Sequence, residues 1–160
     1  KGVSTTAILL GKTKLYEFAH NNKELKLRPS WHTHSGDVHL LKNFVSINSA
    51  LEVDLTGQVG AEELNGIPVS AIGGQPDLVR AAHRSNGGHA IIALPSSAKS
   101  GKFSRIVSKL SGPVTTARSD VDVIVTENGA ADLRGKDLGQ RKQALISIAA
   151  PNFQEDLMKS

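Results

Sequence analysis

The chain contains no cysteine. That absence removes a thiolate nucleophile and a disulfide framework together, and it fits a reducing cytoplasm. Aromatic residues make up only 4% of the sequence, and no basic stripe interleaves with them, so the pattern of a nucleic-acid binder is missing. No apolar run approaches the length of a membrane span. The apolar start, GVSTTAILL, is too short for a signal peptide and carries no cleavage site. His32, His34 and His39 lie close together, but without cysteine and without a usual zinc spacing they are expected to be ordinary polar loop residues, and no metal site is expected. What remains is a chain of 160 residues, long enough for one domain with a real core, whose net charge of +4 suits an anionic ligand.

The most informative stretch is residues 44–57, FVSINSALEVDLTG. Its strict alternation predicts one continuous strand, with Val45, Ile47, Ser49, Leu51, Val53 and Leu55 on one face. Ser46, Asn48, Ala50, Glu52, Asp54 and Thr56 fall on the other, and Glu52 and Asp54 then point the same way, roughly 6.5–7 Å apart. Two like charges so placed disfavour each other's ionisation and can poise one carboxylate for chemistry, although a solvated strand face explains the pattern equally well.

Elsewhere the chain predicts strands at 7–10, 68–72, 89–94 and 121–126, helices at 11–22, 76–85 and 138–149, and a loop at 23–37. There are no repeats or low-complexity tracts. Strands alternating with helices imply an α/β fold with a partly parallel sheet, whose ligand crevice lies beyond the carboxyl ends of its strands. The Gly73-Gly74 turn before a helix can present backbone N–H groups to an anion, or can be a plain tight turn. Asp77 suits a first-turn charge complementing the helix dipole. Lys99 and Lys102, in a Ser/Gly-rich loop, either reach a phosphate or sit solvated at the surface.

Several segments in order carry a resemblance: SINSALEVDLTGQVGAEEL, AIGGQPDL, IIALPSSAKSGKFSRIV, VTTARSDVDVIVTENGAADLRGK and RKQALISIAAPNFQEDL. Together with the opening KGVSTTAILLGKTKLYEFAHNN, they resemble the C-terminal domain of the acetyl-CoA hydrolase/transferase family, which includes 4-hydroxybutyrate CoA-transferases. The resemblance implies that residues 1–160 are one such domain, a fragment without the N-terminal half of the enzyme, with a CoA-transferase-like open, partly parallel sheet flanked by helices. It implies a cytoplasmic enzyme, a homodimer or higher oligomer, that moves CoA between an acyl-CoA and a short-chain carboxylate such as acetate or 4-hydroxybutyrate. Coenzyme A enters as thioester substrate, with no tightly bound cofactor. Alternatives are an acetyl-CoA hydrolase on the same site and a non-catalytic ligand-binding module.

The same resemblance makes Glu52 the nucleophile that forms a covalent glutamyl-CoA intermediate. Gly73, Gly74, Gln75, Lys99 and Glu127 become residues that bind CoA or the oxyanion. Glu127, in VTENG, also resembles the segment that holds the catalytic glutamate in another branch of CoA-transferases, but the order of motifs assigns it to the CoA site. Members often carry a methionine before the SIN run, whereas here residues 40–44 read Leu-Leu-Lys-Asn-Phe, which leaves the acyl chain length open.

Overall fold

A computed structural model describes residues 2–160. Strand β1 (Ser4–Thr6) pairs in parallel with β2 (Leu25–Leu27) across helix α1 (Thr13–Ala19), and helix α2 (Ser30–Thr33) and a 3₁₀ turn (Gly36–Leu40) follow. Next come β3 (Val45–Asn48), β4 (Glu52–Asp54), β5 (Val59–Gly60) and the hairpin of β6 (Glu63–Leu64) and β7 (Ile67–Pro68). Helix α3 (Gln75–Arg84) leads into β8 (His89–Ala93), the hairpin of β9 (Ser97–Ala98) and β10 (Phe103–Ser104), and β11 (Ile106–Val107). The remaining elements are β12 (Val123–Thr126), β13 (Gly129–Asp132), α4 (Leu138–Ser147) and α5 (Pro151–Lys159). Among the described residues, no helix is long and apolar enough to cross a membrane.

Two sheets organise the core. The larger has the order β13-β12-β8-β3, with β3, β8 and β12 parallel and β13 antiparallel at one edge. Ile92 on β8 lies opposite Ile124 on β12, and neither is exposed. Helix α3 packs against β8 and β3, burying Val79 and Ala82 completely. Its start follows from Pro76, which the first turn tolerates, and from Asp77, which complements the dipole. Helix α4 begins with a reciprocal capping box between Asp137 and Gln140. The smaller sheet, β11-β4-β5, pairs β4 in parallel with β11 and antiparallel with β5. The expected fold class, an open, partly parallel α/β sheet flanked by helices, is observed.

The single strand expected over residues 44–57 is instead two strands in different sheets, and burial changes phase between them. On β3, Val45 and Ile47 are 45% and 69% exposed while Ser46 is buried; on the next strand and beyond, Val53 and Leu55 are buried. The break at residues 49–51 has visible causes. Gln75 Nε2 donates to the carbonyl of Ser49 (3.0 Å), Arg105 Nη1 donates to that of Leu51 (3.0 Å), and the Leu51 N–H donates to the carbonyl of Gly60 (2.8 Å). Backbone groups that would have continued one ladder are thus taken by partners in another.

Smaller corrections have local reasons. Residues 7–10 are not a strand: Thr6 Oγ1 donates to the Ile8 carbonyl (2.7 Å), which turns the chain just after β1. Residues 68–72 are not a strand beyond Pro68, because the N–H groups of Val69 and Ser70 both turn to the Glu62 carbonyl (2.7 and 3.0 Å). Residues 23–37 are not only loop, since they hold β2 and α2.

Candidate functional site

Because β3, β8 and β12 are parallel, Asn48, Ala93 and Thr126 end at the same edge of the sheet. Beyond that edge lies a hollow of about 320 Å³, lined by Asn48–Leu51, Ala61, residues 70–72, Gly73, Gly74 and Gln75. The structure therefore places three of the expected binding residues, Gly73, Gly74 and Gln75, at the carboxyl edge, against the end of β3.

The two glycines are needed for different reasons. Gly73 has φ +56, in the left-handed region that only glycine enters freely. Gly74, the N-cap of α3, has φ −95, which any residue adopts. Its own constraint is contact: a Cβ here would land on the Cδ2–Nε2 edge of the His34 ring. Gln75 is only 8% exposed, and its Oε1 has no partner among the described residues while Nε2 holds the Ser49 carbonyl. A buried acceptor without a partner costs about 1–3 kcal/mol, so Gln75 Oε1 is suited to receive a hydrogen bond from a group at this turn.

His34 is a residue that sequence reasoning missed. It was expected to be an ordinary loop histidine, yet its ring lies on Gly74 and lines a second hollow of about 680 Å³ with Ala7, Ile8, Trp31, Gly73, Gly74 and Asp77. Its Nδ1 is 2.8 Å from Thr33 Oγ1 and 3.1 Å from the Ser30 carbonyl. Nothing in the local text W-H-T-H signals a partner forty residues away.

Glu127 follows β12 directly, and Ser96 follows β8 by three residues. The Ser96 hydroxyl donates to Glu127 Oε1 (2.6 Å) and the Ser96 N–H to Oε2 (2.8 Å), clamping the ends of adjacent strands together. Those hydrogen bonds, the hydroxyl first, hold the Glu127 carboxyl below its ordinary range. The side chain is solvent-exposed and remains an accessible anion or acceptor.

Glu52 and Lys99 are not brought to the Gly73-Gly74 turn. Glu52 lines a different hollow, with Lys102, Phe103, Arg105 and Phe153, and only Leu51 is common to it and to the hollow at the turn. Its Oε2 accepts from both the N–H and the hydroxyl of Ser111, each at 2.9 Å. Nor do Glu52 and Asp54 form a poised pair on a solvated face. Asp54 is buried, and its Oδ1 accepts from Thr56 N–H (2.8 Å), Thr56 Oγ1 (2.7 Å) and Gln58 N–H (3.1 Å), which fixes the turn into β5. Lys99 is exposed at the tip of the β9–β10 hairpin, its ammonium 5.5 Å from the centre of the Phe103 ring.

Residues 11–160 match the model of the acetyl-CoA hydrolase/transferase C-terminal domain. The chain is 46% identical to a 4-hydroxybutyrate coenzyme A transferase of Clostridium kluyveri, covering 98% of this chain and 37% of that protein. It is 40% identical to a butyryl-CoA:acetate CoA-transferase of Anaerostipes caccae, covering 97% and 36% respectively. The crystal structure of RipA from Yersinia pestis superposes with a TM-score of 0.91 at 39% identity, over 98% of this chain and 36% of that one. The chain thus spans little more than a third of the length of the curated relatives it matches.

Proposed function

Since this chain belongs to the acetyl-CoA hydrolase/transferase family through its C-terminal domain, we propose that it is one part of an acyl-CoA:carboxylate CoA-transferase. The observation that carries this reading is the turn at Gly73, Gly74 and Gln75, set at the carboxyl edge of the parallel strands with a buried acceptor that has no partner among the described residues. In this reading backbone N–H groups at the turn hold the oxyanion of a thioester under attack, a contribution typically worth about 3–4 kcal/mol per donor. Glu127, clamped by Ser96 at the same edge, is a contact for the CoA moiety.

The reaction runs through a carboxylate. It attacks the thioester carbonyl, expels CoA thiolate and forms a mixed anhydride; the thiolate then attacks the enzyme's glutamyl carbonyl and releases the first acid. A second carboxylate reverses the sequence, splitting one difficult exchange into easier steps. Geometry argues against Glu52 as that carboxylate, because it faces another hollow and is held by Ser111. Of the two hollows that Gly73 and Gly74 line, the one at the end of β3 has no acidic residue, and the other has Asp77 alone. On this reading the nucleophile comes from the part of the family's enzymes that this chain does not span, and this domain supplies the oxyanion and CoA contacts.

The test is incorporation of labelled acetate into acetyl-CoA by the full-length polypeptide, measured against net release of CoA. Exchange is expected to exceed release, and residues 1–160 alone are expected to give negligible turnover, since half a cleft recovers only part of the contacts. Exchange by residues 1–160 at the rate of the longer protein would contradict this division of labour.

A further inference from the structure

We propose that His34 is the base for a second reaction at this site, in which water replaces the acceptor acid and the acyl-CoA is hydrolysed. The inference rests on the CoA-transferase reading and assigns a role to a side chain which that reading leaves unused.

Three observations carry it. The ring lies on Gly74, whose lack of a Cβ is what admits it, so the Cδ2–Nε2 edge is at the start of α3, beside the turn to which the CoA-transferase reading assigns the oxyanion. The tautomer follows from the hydrogen bonds on the other nitrogen. Thr33 Oγ1 donates to the Ser30 carbonyl (3.3 Å), which leaves its lone pairs to accept from Nδ1–H at 2.8 Å, and the Ser30 carbonyl accepts from the same Nδ1–H at 3.1 Å. With Nδ1 protonated, Nε2 carries a lone pair. Finally, the hollow of about 680 Å³ shared by His34, Gly73, Gly74 and Asp77 has ample room for water beside a thioester.

The step balances without any co-reactant. A water oxygen bonds to the thioester carbonyl carbon while its proton passes to Nε2, and the carbonyl oxygen becomes the oxyanion held by backbone N–H groups of the turn. Collapse breaks the C–S bond, and the imidazolium returns its proton to the departing thiolate. The products are the free acid and CoA. Transfer and hydrolysis then compete for one thioester, and the outcome depends on whether an acid or a water occupies the place beside Nε2.

The experiment uses the full-length polypeptide with acetyl-CoA and follows two rates: net CoA release without acceptor, and exchange of labelled acetate. In His34→Gln the ratio of release to exchange is expected to fall about 100-fold, the lower end of what a general base contributes. The solvent deuterium isotope effect on release should be present in the parent and lost in the variant. Thr33→Val keeps the ring but strips one Nδ1 partner, and it should shift the ratio the same way by less; it carries the test if His34→Gln does not fold. An unchanged ratio, or two rates that fall in parallel, would overturn the assignment. So would a parent that exchanges acetate but releases no CoA above background. A parent that does neither removes the CoA-transferase reading itself, and this inference with it.

Discussion

Gly74→Ala is expected to lower acetate exchange by the full-length polypeptide about 10²–10³-fold, the loss that follows when an oxyanion donor is displaced. The backbone is not the reason, since φ −95 at this position suits alanine. The methyl group would land on the His34 ring, which is pinned on its far side by Thr33 and Ser30. Either the ring or the first turn of α3 must therefore move, and misplacement by about 1 Å can cost 10²-fold in rate. Overpacking should also cost stability, about 1–3 kcal/mol. Because the collision has one named partner, Gly74→Ala combined with His34→Ala should recover most of that stability. Recovery is read as a coupling energy in a double-mutant cycle of urea unfolding. Additive losses would show that the ring is not what the methyl group meets.

The largest loss of stability from a single polar group is expected at Asp122. Its carboxylate is 2% exposed and bridges three elements at the amino-terminal edge of the sheet. Oδ2 accepts from the N–H of Ala90 at the start of β8 (3.0 Å), and Oδ1 is 2.8 Å from His83 Nδ1 in the last turn of α3. Asp122→Ala strips both, leaving a buried N–H without a partner, and should cost about 2–3 kcal/mol. At this size, that corresponds to a fall in Tm of roughly 4–12 °C. Asp122→Asn keeps an acceptor for Ala90 and should cost less. A midpoint unchanged in urea, with the same slope, would mean that α3 is held to the sheet by its apolar face alone.

Local signals made much of this architecture legible in the sequence. Pro76 and Asp77 marked the start of α3, Asn86-Gly87-Gly88 marked the turn after it, and short apolar runs marked β8 and β12. The Gly73-Gly74 turn was placed at the carboxyl edge by the same reasoning. What alternation cannot report is which sheet a strand joins. A period of two is preserved when the chain leaves one ladder for another, so β3 and β4 looked like one strand. The partners that separate them, Gln75 and Arg105, are 26 and 54 residues away. Glu52 shows the same limit in chemical terms: alternation sets it beside Asp54 on one strand face, but the residue that engages it, Ser111, is 59 positions along the chain. The His34 contact escaped notice because its signature is a glycine that its own φ does not require, and only coordinates reveal that.

The claim that this domain holds the oxyanion and CoA but does not supply the nucleophile is tested most directly by trapping the intermediate. The full-length polypeptide is mixed with acyl-CoA, the glutamyl thioester is reduced with borohydride or captured with hydroxylamine, and the modified peptide is mapped by mass spectrometry. The modification is expected on a glutamate outside residues 1–160, with the peptides carrying Glu52 and Glu127 untouched. Modification of the peptide that carries Glu52 would contradict the account.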